Sequence, residues 1–278
     1  MSDVDILALR EKIESINVLP TIPKVLKKIL RVIENPKISL NEISNFVSGD
    51  PVLTTRVLKM VNSPVCGFPG RITSVNQAVI LLGLTVVKGL LLGVSVFELM
   101  QKTMIGLWEH SLGTAIVCRL IAKKRGLKEP DELSAEGLLH DIGKVLLVLQ
   151  YPDKYEKAIN YSDNNRLAIY ESERNHFSTT HASVGMWMAR KWRFPPNLIE
   201  TIEYHHKPHL AKIAPVDSAV VHFADILVRA RGFGFAGDRL LTPVNPTAWE
   251  LLSLSNADIK EILSEAEDSF QMAEDTSL

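Results

Sequence analysis

The chain has 278 residues, 46% of them hydrophobic and 23% charged, which is enough apolar material for one large core or two modest ones. Its 31 Lys+Arg against 32 Asp+Glu leave a formal net charge of -1, so it lacks the overall positive field that draws proteins to nucleic acid phosphates. The runs Lys123-Lys124-Arg125 and Arg190-Lys191-Trp192-Arg193 are short and read as solvated helix ends, so no nucleic-acid partner is expected.

Cys66 and Cys118 are far apart and form no CxxC pair, which suits reduced thiols. The acidic start Met1-Ser2-Asp3-Val4-Asp5 lacks the basic-then-apolar pattern of a secretory signal, and a cytoplasmic location is expected.

Helical periodicity recurs along the chain and strand alternation is hard to find, which predicts an all-α protein. Ser39-Leu40-Asn41-Glu42 is a capping box, with Ile38 and Ile43 placed as a hydrophobic staple. Asp50-Pro51 opens the next helix, whose apolar stripe Leu53, Val57, Leu58 and Val61 ends near Asn62-Ser63-Pro64. Turn chemistry follows from Cys66 to Arg71, and Ser74-Val75-Asn76-Gln77 is a second capping box. The apolar stretch Ala78 to Met100 is long enough to cross a bilayer, but Lys88 interrupts it and Gly83-Leu84-Thr85 reads as a stop and restart. Two buried helices, and no membrane partner, are therefore expected.

The elements Leu19-Pro20-Thr21-Ile22-Pro23, Asp50-Pro51, Asn62-Ser63, Gln77-Ala78 and Leu82-Gly83, followed by Trp192, Pro195 and His205-His206, stand in the order and spacing of the HDOD family. Each is weak alone, but their joint order runs from about Leu19 to Ala230. The resemblance implies a bacterial signalling domain, a multi-helix bundle in which an N-terminal helical part (about 16–100) adjoins an HD-like core (about 101–231). Residues 232–278 are then a linker, marked by Gly232-Phe233-Gly234-Phe235, Pro243 and Pro246, and a helix whose stripe Ile259, Ile262, Leu263, Ala266 and Phe270 docks on the bundle.

The segment Gly137-Leu138-Leu139-His140-Asp141-Ile142-Gly143-Lys144 lies inside an apolar run that continues to Leu149. Burying its imidazole, carboxylate and ammonium groups costs several kcal/mol unless each has a partner, which demands a metal or a polar network. The other candidate ligands are His110, His181, His205, His206 and Asp225. His, His-Asp, His, His-His, Asp is a succession that resembles the HD superfamily of metal-dependent phosphohydrolases, and within it the HD-GYP branch acting on cyclic di-GMP.

That resemblance implies a first metal held by His110, His140, Asp141 and Asp225, and a second, bridged by Asp141, held by His181, His205 and His206. Lys144, one turn after Asp141, matches a lysine close to the phosphate or the metals, so Asp141 and Lys144 are the candidate catalytic residues. Mixed N/O ligation suits a dinuclear centre of iron, manganese, zinc or nickel.

Against turnover, Lys207-Pro208-His209-Leu210-Ala211 lacks the acidic residue and Gly-Tyr-Pro that the HD-GYP name records. HDOD proteins are regarded as non-catalytic relatives that have lost ligands. The leading reading is a regulatory domain with a metal site, a signalling protein partner and a nucleotide or cyclic dinucleotide ligand. An active phosphohydrolase and a diiron redox or gas sensor are the rivals. His176, His209 and His222 read as surface or supporting residues, with His222 one turn from Asp225 and able to orient it. Trp108, Trp187, Trp192 and Trp249 read as core.

Overall fold

A computed structural model describes residues 6–15, 24–35, 37–68 and 70–275. The Leu19–Pro23 element, Pro69 and residues 276–278 lie outside the described residues. Among the described residues there are helices and no strands: α1 (Ile6–Glu14), α2 (Lys24–Glu34), α3 (Leu40–Ser48), α4 (Pro51–Val61), α5 (Val75–Thr103), α6 (Leu107–Lys124), α7 (Pro130–Leu139) and α8 (Ile142–Gln150). They continue as α9 (Pro152–Asn165), α10 (Ile169–Phe177), α11 (His181–Lys191), α12 (Pro196–Tyr204), α13 (Pro215–Arg231), α14 (Pro246–Leu252) and α15 (Asn256–Asp275).

The helix starts are local chemistry. At α3 the Ser39 hydroxyl accepts from the Glu42 amide and the Glu42 carboxylate accepts from the Ser39 amide, while Ile43 is buried and Ile38 packs against the core. At α4 the Asp50 carboxylate accepts from the Val52 and Leu53 amides and Pro51 needs no partner for its nitrogen. Asn62 closes the following loop: its amide group donates to the Ile72 carbonyl (2.8 Å) and accepts from the Ile72 amide (2.7 Å).

Gly83 has φ 74° and ψ 172° and breaks α5, as its sequence implies, into two helical pieces. The stretch from Val75 to Val94, which spans this break, is long and apolar enough to cross a membrane, yet 61% of its most apolar window is buried inside the protein. Lys88 donates its ammonium to the Ile33 carbonyl at 3.1 Å, near the end of α2.

α5 is the joint of the molecule, packing on α2, α3 and α4 at one end and on α7 and α8 at the other. Gly89 and Gly93, one turn apart, allow this approach: a Cβ on Gly93 would lie 2.7 Å from Leu138. Two further ties join the halves, Ser134 Oγ donating to the Val65 carbonyl and Arg119 donating to the Gly67 carbonyl. One apolar cluster runs through both halves from Leu9 to Phe270. α1 leaves the N-terminal helices and packs on α8 and α11 through Leu9 and Ile13.

The C-terminal helix α15 docks on α6 with Ile262, Ala266 and Phe270 buried, and Phe270 stacks on Phe233 with ring centres 4.2 Å apart. Trp108, Trp187 and Trp192 are core residues, but Trp249 is 43% exposed, its ring lying against Phe223 near the surface. α14 is a short peripheral helix, so its apolar stripe is only partly covered.

Candidate metal centre

The α7–α8 junction carries the centre. α7 ends with His140 as its C-cap, and Asp141 precedes α8 at a φ of -97° and ψ of 10°, so the chain turns and both side chains stay inside. His140, Asp141 and Lys144 are all 0% exposed. Around them α6 supplies His110, the first residue of α11 is His181, the end of α12 supplies His205 and His206, and α13 supplies Asp225. All seven candidate ligands named from the sequence meet in one cluster, comprising the groups His110–His140–Asp225, His140–Asp141–His205 and His181–His205–His206. Within each group the donor atoms lie within 4.8 Å of one another.

Asp141 faces both ways. Its Oδ2 lies 3.3 Å from His140 Nε2 and 3.6 Å from His110 Nε2, and its Oδ1 lies 3.2 Å from His181 Nε2 and 3.7 Å from His205 Nε2. His110 Nε2 is also 3.1 Å from Asp225 Oδ1, and His181 Nε2 is 3.0 Å from His206 Nε2.

The far nitrogens of three rings are committed. His140 Nδ1 donates to the Gly137 carbonyl (2.7 Å), His205 Nδ1 to the Ile202 carbonyl (2.8 Å) and His181 Nδ1 to the Glu173 carboxylate (2.7 Å). A neutral ring that donates through Nδ1 presents a bare lone pair at Nε2. Three such lone pairs converge on a carboxylate, and Asp141 Oδ1 accepts no hydrogen bond at all. Lone pairs crowded together in a dry interior repel, and a cation among them is what satisfies them. The residues therefore fit a site for divalent transition metals, with nitrogen and oxygen donors and no sulfur.

The electrostatics of His110, His205 and His206 agree. Burial pushes the His110 imidazole down to about 4 and holds His205 and His206 well below the ordinary histidine range, so all three are neutral near pH 7. Burial is the largest influence on His181 too and pushes it down, but the Glu173 and Asp141 carboxylates together outweigh it and raise it. Burial would raise the Asp141 carboxyl, but its interactions with the His140 ring, the Lys144 ammonium and the His181 ring outweigh burial and hold it well below the usual range. For Asp225 the Arg229 guanidinium does most of that work, with His110 second.

Lys144 donates to Asp141 Oδ2 at 2.6 Å and to the Ala236 carbonyl at 2.8 Å. It is a wall of the centre tied to the 232–239 segment, and not a surface-facing group.

Several functional neighbours escaped the sequence reading. Arg229 donates to Asp225 (2.7 Å) and to Asp238 (3.0 Å), a role the sequence reading gave to His222. His222 instead donates to the His205 carbonyl and accepts from the Asn245 amide, orienting the end of α12. Glu173, wholly buried on α10, accepts from the backbone amide and ring of His181 and from the Tyr155 hydroxyl. Ile169, Glu173 and Phe177 at four-residue steps put this carboxylate in an apolar stripe, and that step is the signal that could have found it. The Gly232–Asp238 segment, read as an irregular connection, walls the centre: a Cβ on Gly234 would lie 2.2 Å from the His110 amide, and the Phe235 amide donates to the Gly106 carbonyl.

The cluster reaches open space on two sides. A cleft of about 430 Å³ opens at His110, lined by Arg229, Phe233, Phe235, Asp238 and Arg239. Two more, of about 260 and 530 Å³, meet at His206 and Tyr170.

Comparison with known proteins gives the chain its place. An HDOD domain protein of unknown function from Geobacter sulfurreducens is 26% identical, matching 98% of this chain and 99% of its own with a TM-score of 0.70. A Shewanella amazonensis SB2B protein, provisionally named a phosphohydrolase, shares the fold at 22% identity with a TM-score of 0.66, covering 96% and 98% of the two chains. An uncharacterized protein of Treponema pallidum (strain Nichols) is 30% identical over 224 residues, 78% of this chain but 43% of the relative, so the chain spans less than half of that protein's length. The HDOD domain itself matches residues 19–208, and the chain belongs to the HDOD family.

Proposed function

We propose that this chain is a regulatory HDOD domain whose core binds two divalent cations bridged by Asp141. The observation that supports it is the division of that carboxylate, Oδ2 toward His110 and His140 and Oδ1 toward His181 and His205, with Oδ1 otherwise unsatisfied. In this reading His110, His140, Asp225 and Asp141 hold one cation, and His181, His205, His206 and Asp141 the other. Such a pair supplies Lewis acidity toward a phosphoryl oxygen and activation of water.

The chain's own residues do the positioning. Backbone carbonyls fix the His140 and His205 rings, Arg229 fixes Asp225, and Lys144 joins Asp141 to the loop that closes over His110. A filled centre would tie α6, α8, α11, α12 and α13 into one arrangement, and α5 would present the N-terminal helices to a signalling partner accordingly. A nucleotide or cyclic dinucleotide would act by preferring one arrangement over the other.

The deciding experiment is metal stoichiometry by mass spectrometry on protein purified without chelator or nickel resin, beside Asp141→Ala of unchanged helicity. About two metals per chain, lost in the variant, is the expected result. No metal in either protein sinks the reading.

A second reading, an active phosphohydrolase, is favoured by the cleft at His110, whose lining includes the Arg239 guanidinium. Hydrolysis of a cyclic dinucleotide by metal-loaded protein, abolished in Asp141→Ala, would establish it. A bound but uncleaved dinucleotide would return the regulatory reading.

A further inference from the structure

We infer that Glu173 is a positioning residue that fixes His181 toward the metal centre and sets the cation affinity of the His181–His205–His206 half. The inference rests on the metal reading above.

His181 is the hub of that half. Its Nε2 stands 3.0 Å from His206 Nε2, 3.3 Å from His205 Nε2 and 3.2 Å from Asp141 Oδ1, so whatever this nitrogen carries decides what the half can hold. With the proton on Nε2 the hub offers no lone pair. With the proton on Nδ1 it offers one to the centre of the cluster.

Glu173 enforces the second state. Its Oε2 accepts from His181 Nδ1 and from the His181 backbone amide, both at 2.7 Å, so one oxygen grips the ring and its own main chain together. The Tyr155 hydroxyl donates to Oε1 at 2.7 Å and holds the carboxylate from behind. All three residues are essentially inaccessible to solvent, so water does not screen this carboxylate or replace its partners.

The other fixed rings of the cluster, His140 and His205, lean on backbone carbonyls, which are neutral. His181 alone among the three leans on a carboxylate, whose charge makes Nε2 a stronger donor. The α9–α10 hairpin, which carries Tyr155 and Glu173, thereby becomes part of the His181 half of the centre.

Zinc titration of the chelator-stripped 278-residue chain tests this, with a chromogenic competitor reporting each equivalent. Glu173→Gln keeps the shape and an acceptor oxygen but removes the charge. It is expected to weaken one of two zinc equivalents by about 10- to 100-fold and to leave the other within about threefold. Tyr155→Phe, which leaves the charge in place, is expected to shift neither equivalent by as much as tenfold. A merely structural role would lower the unfolding midpoint and weaken both equivalents together, or neither, and either result overturns the proposal. If Glu173→Gln loses helicity, Glu173→Asp takes its place, since it keeps the charge but withdraws it from Nδ1, and the same selective weakening is expected. Wild-type protein that binds fewer than two zinc ions overturns the metal reading itself, a failure distinct from two-site binding that ignores residue 173.

Discussion

Gly143 rests against the carbonyl of His181: a Cβ on residue 143 would lie 1.9 Å from that oxygen and 2.8 Å from the Gly185 amide nitrogen. Only a glycine lets α8 and α11 approach this closely, and α8 begins just after Asp141 while α11 begins at His181. Gly143→Ala must push them apart. Overpacking of this kind costs about 1–3 kcal/mol, here against backbone that cannot rotate away. A lower urea midpoint together with weakened zinc binding is expected. Gly70→Ala, whose Cβ would meet nothing within 4 Å, should change neither.

Arg229→Met should destabilise the protein by about 3–5 kcal/mol, because it leaves Asp225 and Asp238 buried without their cation. Arg229→Lys keeps a charge but cannot reach two carboxylates in one plane, so it should recover only part of the loss. Urea unfolding of metal-free protein separates this effect from ligation.

Glu136 offers a pH test away from the centre. Burial raises its carboxyl well above the usual range, and Asp217 adds to that, while hydrogen bonds from Thr201 and Asn197 oppose it. A group whose folded pKa is raised contributes its stability fully below the unfolded value of about 4.3 and loses it as pH rises through the folded value. Glu136→Gln removes that proton linkage. Unfolding free energies at pH 5 and pH 8 should show the wild type losing ground to the variant as pH rises, and a difference independent of pH would refute the assignment.

Ser39→Ala should cost about 1 kcal/mol by removing the α3 cap, since both its hydroxyl and the Glu42 carboxylate serve amides there. Zinc binding should be unchanged, because α3 does not touch the centre. A shift in zinc affinity would show the two halves to be more tightly coupled than their contacts imply.

Much of this was legible in the sequence for local reasons. Caps at Ser39 and Asp50 and the break at Gly83 depend on neighbours a few residues away, and the structure keeps each of them. The ligand candidates stood out because His140 and Asp141 interrupt an apolar run, and the cluster gathers every one of the seven. Glu173 hid beside Glu171 in a polar stretch, its burial betrayed only by its place four residues from both Ile169 and Phe177. Arg229 is a cation near a helix end, and nothing in the local sequence marks it out. Its pairing with Asp225 was one turn away, but Asp238 joins it only once the 232–239 segment folds back, a long-range event that no local pattern records.

The donors of the cluster are strung along the chain from residue 110 to residue 225, and that spacing orders assembly during synthesis. The nitrogens of His181, His205 and His206, with Asp141, exist as soon as α12 has emerged. The partner set waits for Asp225 on α13, and its roof waits for Ala236 and Asp238. A growing chain thus presents the donors of one half about twenty residues before Asp225 joins the other, and both halves settle only when α13 packs, because His222 on that helix holds the His205 carbonyl.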